Sequence, residues 1–253
     1  VESRILKIHD PHLNHREGWN ILRRWFVLGI PFFLIEAIYP KLFRHVTALS
    51  EWTRRKIKKP DAVVVPAGIS SSIIAEGQET KEGDYILYVG RLHIKNKGLD
   101  TLFAAIRDQQ WATLKLVGRG PDEARLKGMG LKNADFLGFL EEGQKIEMLR
   151  NSMFLVLPSR FEGWGIVVLE AAACGKPVVV SDIPELSFAT QAGFGVSFRT
   201  GDPDDLREKI DYLMKSDDAR REMGRKALEY SKGFTWESIA IDYETMLMEI
   251  SRK

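Results

Sequence analysis

The sequence predicts a doubly wound α/β fold, with a parallel sheet covered by helices on both faces. From Tyr85 onward, short apolar runs alternate with stretches long enough for crossover helices. One run, Met153 to Leu157, has no polar alternation, as a strand buried on both faces requires.

Taken in order, the apolar runs near Arg4 to Ile8, Val46 to Leu49 and Ala62 to Val65 read as strands with helical material between them. Residues 1–74 are therefore expected to be the later part of one α/β unit. Within it, Trp25 to Ile35 carries no charge across eleven residues and contains Gly29 and Pro31, too short a run to span a bilayer. A buried helix broken near Pro31 is the favoured reading. The other is an interfacial membrane contact, with Arg23 and Arg24 flanking Trp and Phe. The Glu-, Gly- and Lys-rich stretch 75–84 reads as a linker. A second unit, 85–235, follows with strands at Tyr85 to Val89, Thr113 to Val117, Ala134 to Leu137, Met153 to Leu157, Pro177 to Ser181 and Gly195 to Phe198. Helices are expected over Asp204 to Lys215 and Asp217 to Lys232. A last helix, within 236–253, starts at Trp236 behind Thr235 as N-cap.

Composition narrows the function. With 37 Lys+Arg against 35 Asp+Glu, the formal charge of +2 provides no chain-wide field for nucleic acid, so any anion site must be local. A single cysteine, Cys174, can form neither an internal disulfide nor a thiolate metal site, which fits a reducing cytoplasm. The chain opens at Val1 without a signal-peptide pattern, and sequence upstream of it is expected.

The most informative segment runs from Ser159 to Ser181, beginning where a buried strand ends at Pro158. Ligands of open α/β sheets bind at that edge. Gly163 and Gly165 let the backbone turn into a helix over Ile166 to Cys174, whose N-terminus faces the edge. That helix is apolar on every side except for Glu170, and a buried carboxylate needs polar partners. Two partners fit: a pair of ligand hydroxyls, or an Arg or Lys from a neighbouring strand. Glu162, in the preceding loop, is solvent-reachable, and reads either as a ligand contact or as an ordinary surface residue. The two carboxylates could suggest a glycosidase, but that chemistry needs no anion site. The loop after the strand Tyr85 to Val89 supplies one: backbone N–H groups gather there with Arg91, Lys95 and Lys97, a fit for a diphosphate or else a solvated basic loop. The Gly118-Arg119-Gly120 turn reads as structural. Asp202-Pro203-Asp204 reads as helix capping rather than as a metal site.

The Glu162/Glu170 pair, Gly90-Arg91-Leu92 with Lys97-Gly98, Phe136-Leu137-Gly138 and Gly201-Asp202-Pro203 together resemble the retaining glycosyltransferases of the large GT-B family 4. The resemblance extends from Asp61 to Ser251. It implies two Rossmann-like domains of GT-B type: an acceptor-side domain, to which 1–74 and the returning helix 236–253 would belong, and a nucleotide-sugar-binding domain over 85–235. It further implies a hexosyltransferase that takes a nucleoside diphosphate sugar and retains configuration at the anomeric carbon. Arg91 and Lys97 would grip the diphosphate, Glu162 the sugar hydroxyls and Glu170 the ribose. Gly165 and Ile166 would present amides, and Phe139 and Leu140 would border the base. Ile8-His9-Asp10 resembles the His-bearing strand end near the sugar and acceptor, so His9 joins Glu162 as a catalytic candidate; a purely structural His is the alternative.

Two departures from the family stand out. Its N-terminal domain begins about a hundred residues earlier, with an acceptor-binding glycine-rich loop. Asp182-Ile183-Pro184-Glu185 also stands where a paired glycine often precedes Pro-Glu. The expectation is a metal-independent, cofactor-free cytoplasmic transferase, with a peripheral contact on the inner face of the membrane if the acceptor is lipid-linked rather than saccharide. A nucleotide-sugar epimerase of the same architecture and a non-catalytic donor-binding subunit are the competing readings.

Overall fold

A computed structural model describes residues 42–74, 83–107, 109 and 113–251. The expected elements Arg4 to Ile8 and Trp25 to Ile35, together with His9, lie outside the described residues.

The contacts divide the chain into two compact units at Val64/Val65. In the first, β1 (Thr47–Ala48) pairs in parallel with β2 (Val63–Val64). Between them lies α1 (Glu51–Lys56), capped by the Ser50 hydroxyl, which accepts the Thr53 N–H.

The division falls upstream of the expected linker at 75–84. Gly68 and Ile69 run beside the far end of the chain: Ile69 donates to the Phe234 carbonyl at 2.8 Å, and Trp236 donates to that of Ile69 at 2.9 Å. Residues 65–74 therefore belong with the second unit. So does the final helix, which the resemblance assigned to the acceptor side.

The second unit is built on six parallel strands: β3 (Tyr85–Val89), β4 (Thr113–Val117), β5 (Ala134–Gly138), β6 (Leu155–Leu157), β7 (Val178–Ser181) and β8 (Gly195–Phe198). Their order is β5-β4-β3-β6-β7-β8. Every residue of β3, β6 and β7 is buried, as their unbroken apolar runs require, whereas edge strand β5 alternates between half-buried and exposed. The crossovers carry α2 (Ile94–Lys97), α3 (Leu99–Ile106), α4 (Glu123–Gly128), α5 (Glu142–Asn151), α6 (Ile166–Ala173) and α7 (Ser187–Gln191). The chain closes with α8 (Pro203–Lys215), α9 (Asp217–Ser231) and α10 (Trp236–Ser251). The Thr235 hydroxyl accepts the Ser238 N–H at 3.2 Å, the cap expected for α10.

The strand order reverses between β3 and β6, so the crevice for a ligand opens beyond the carboxyl ends of those two strands. The loops after them are the two that the sequence singles out. None of the described helices is long and apolar enough to cross a membrane.

Candidate functional site

Most backbone N–H groups of the loop after β3 are taken by protein acceptors. Gly90 donates to the Val117 carbonyl at 2.9 Å and Leu92 to that of Arg119 at 3.0 Å, so the Gly118 turn is structural support, as expected. The Ile94 N–H donates to Asp122 Oδ2 at 2.7 Å, and the Asn96 N–H to His93 Nδ1 at 3.1 Å. This corrects the expected cluster of anion-binding N–H groups, since most of those donors already have protein acceptors. The cationic side chains remain. Arg91 is exposed and meets no carboxylate among the described residues. Beneath it, the buried Tyr88 hydroxyl donates to the Arg91 carbonyl at 2.9 Å. Burial, and after it the nearby Glu162 charge, push that phenol well above its usual pKa.

Gly98 brings the two loops together. Its φ of +61° is left-handed, and a Cβ there would stand 2.0 Å from the Pro158 carbonyl oxygen. The chain can thus pass flush against the end of β6, which sets Lys97 beside the Ser159 to Glu162 loop. Lys97 Nζ is ion-paired with Glu162 Oε1, and the Ser159 hydroxyl donates to the same oxygen at 2.6 Å. Glu162 is consequently neither a surface residue nor freely solvent-reachable: 11% of its side chain is exposed.

Arg160 clamps this arrangement and was not singled out in the sequence. Its guanidinium donates to both Asp100 oxygens at 2.8 and 3.0 Å and to Thr101 Oγ1 at 2.9 Å, while its N–H donates to the Asn96 carbonyl at 2.9 Å. The only signal for it was a lone Arg beside a strand end, and nothing there pointed to Asp100 as its partner.

Gly165 starts α6 in the left-handed region at φ +71°, and the Ile166 and Val167 N–H groups meet no acceptor among the described residues. Ile166 is partly exposed beside them. Glu170, one turn on, is ion-paired with Lys145 Nζ at 2.8 Å. The cation comes from helix α5 and not from a neighbouring strand, because α5 packs against α6 while the flanking strand positions are apolar. Before α5, Phe139 stands exposed and Leu140 packs against the core.

Trp164, between Gly163 and Gly165, was not singled out in the sequence. It stacks on Phe188 at 5.5 Å and lies 6.3 Å from Phe234, and its buried indole N–H meets no acceptor among the described residues. The Asp182 carboxylate accepts the Thr200 hydroxyl and N–H, which hold its pKa below the usual carboxylate range. Asp202 Oδ1 accepts the N–H groups of Asp204 and Asp205, each at 3.0 Å, in the expected capping role. Among the described residues no group of three His, Cys, Asp or Glu is placed to hold a metal ion.

A family model for glycosyl transferases group 1 matches residues 70–230, which include both loops and both glutamates. The chain belongs to the group 1 glycosyltransferases. An uncharacterized glycosyltransferase of Methanocaldococcus jannaschii is 32% identical over 200 residues, covering 76% of this chain and 55% of the relative. Among solved structures, sucrose-phosphate synthase from Thermosynechococcus elongatus superposes with a TM-score of 0.70 at 24% identity over 82% of this chain and 58% of that one. Anabaena HepE in complex with UDP and glucose gives 0.67 at 17% identity, over 81% and 62% respectively. These likenesses establish a GT-B fold for this group 1 chain. The chain spans about half the length of the curated relatives it matches.

Proposed function

We propose that this chain carries the donor-binding half of a retaining family 4 glycosyltransferase, which moves a hexose from a nucleoside diphosphate sugar to a saccharide or lipid-linked acceptor in the cytoplasm. One observation carries the reading: at the crevice where strand order reverses, Glu162 and Glu170 are each held by a lysine, at the same sheet edge as the exposed Arg91. The HepE complex, with UDP and glucose bound on the same fold, supports it.

In this reading the diphosphate lies between Arg91, Lys97 and the amides of Gly165 and Ile166. The Lys97 ammonium has three donors and spends one on Glu162, so it can hold a phosphate oxygen as well. Cleavage of the bond between the anomeric carbon and the phosphate builds negative charge on the leaving oxygens. A unit charge pair about 4 Å apart is worth about 4 kcal/mol at an effective dielectric near 20, so two cations and a helix N-terminus can take the place of a metal ion. Glu162 accepts sugar hydroxyls and Glu170 the ribose hydroxyls, with Phe139 and Leu140 beside the base. With its carboxylate anchored by Lys97 and Ser159, Glu162 suits hydroxyl binding better than attack on carbon. The leaving phosphate would then take the acceptor's proton on the same face of the sugar.

Calorimetric titration of the full chain with UDP, GDP and ADP and their glucose derivatives, with and without EDTA, tests this. One nucleotide should bind equally well in both conditions. Affinity that collapses under chelation and returns with magnesium or manganese would overturn metal independence, and no binding at all would overturn the donor-site reading.

A further inference from the structure

Lys145 enters the site from an element that no donor contact requires. It lies in the first turn of α5, just after Phe139 and Leu140, and its N–H donates to the Glu141 carbonyl at 2.9 Å. The helix start is fixed by Gln144, whose side chain accepts the Glu141 N–H at 3.2 Å, and the helix is anchored by the buried Ile146 and Leu149. From this fixed root the ammonium reaches Glu170 Oε1, while Oε2 meets none of the described residues. Neither member is sealed off: 22% of the Lys145 side chain and 13% of the Glu170 side chain are exposed. The neighbours of Glu170 on α6, Val168, Leu169, Ala171 and Ala172, are fully buried and apolar, so they give the carboxylate no polar guidance.

We propose that Lys145 is a positioning residue: by pinning one oxygen of Glu170 it presents the remaining acceptor sites to the 2′- and 3′-hydroxyls of the donor ribose, and so makes the site selective for ribonucleotides over 2′-deoxyribonucleotides. The proposal rests on the assignment of Glu170 to the ribose. An ionised carboxylate has about four acceptor positions, and one bond from Lys145 leaves enough for two hydroxyls. Without the pin, the side chain must be ordered during binding, which weakens the contact. A ligand lacking the 2′-hydroxyl leaves an oriented acceptor unpaired, and that mismatch is the source of discrimination.

The test is calorimetric titration of the full chain with UDP and 2′-deoxy-UDP, and with GDP and 2′-deoxy-GDP. The wild type should favour the ribonucleotide by about tenfold or more, as expected for loss of a hydrogen bond to a charged group. Lys145→Met should shrink that ratio to about twofold or less, chiefly by weakening the ribonucleotide, and Lys145→Arg should preserve most of it. A purely structural lysine would lower both affinities together and leave the ratio intact, which would overturn the proposal. If Lys145→Met unfolds, Lys145→Gln takes its place against Lys145→Arg, with equal ratios in the two overturning the idea. Glu170→Gln separates the levels. If it leaves the ratio unchanged, the ribose assignment falls and this proposal with it; if it shrinks the ratio while Lys145→Met does not, only the role of Lys145 falls.

Discussion

Glu162 holds two donors on one oxygen, and that arrangement makes it dependent on its partners. Lys97→Met removes a charge-assisted bond and leaves a nearly buried carboxylate with the Ser159 hydroxyl alone, so it should lower stability by about 1–2 kcal/mol. Glu162→Gln added to it should restore much of that loss, because the two residues act as a unit. Denaturant unfolding of the single and double variants checks this; simple additivity would mean the pair contributes nothing as a pair. Glu162 and Glu170 were both visible in the sequence, the first by its place at a strand end and the second because it interrupts an otherwise apolar helix. Their partners were not. Several lysines precede α6, and which one reaches Glu170 depends on how α5 lies on α6, a tertiary fact without a local signature.

At the scale of elements, the crevice depends on two loops meeting at a glycine. Gly98→Ala would impose a left-handed φ on a side chain whose Cβ collides with backbone, which cannot move as a flexible side chain would. It should cost more than about 2 kcal/mol and weaken nucleotide binding by separating Lys97 from the Glu162 loop. An alanine variant with unchanged melting temperature and affinity would show that the close approach is not needed. The central strands β3, β6 and β7 were legible because strands buried on both faces leave unbroken apolar runs. The loop after β3 was legible only in part. Its glycine and cations stood out, but the consumption of its N–H groups depends on Asp122 and the Val117 to Gly120 turn, which arrive from the next connection.

For the whole molecule, a net charge of +2 means that donor recognition rests on local groups and should resist moderate salt better than binding driven by a broad cationic face. The doubly wound order sets where those groups meet, and the group 1 family match covers that region. The division at Val64/Val65 falls ahead of the expected linker because Ile69 is tied to Phe234 and Trp236 by pairing across most of the chain, a long-range contact without a local signature. The most direct test of the central claim, that one glutamate serves the sugar and the other the nucleoside, is a calorimetric comparison of UDP with UDP-glucose, or GDP with GDP-glucose, on the wild type, Glu162→Gln and Glu170→Gln. Glu170→Gln should weaken the bare nucleotide and the sugar nucleotide alike by about tenfold or more, while Glu162→Gln should leave the bare nucleotide within about twofold and lose affinity only for the sugar nucleotide. Loss of bare-nucleotide affinity in Glu162→Gln with none in Glu170→Gln would reverse the two roles, and no effect in either would contradict the assignment of this crevice to the donor.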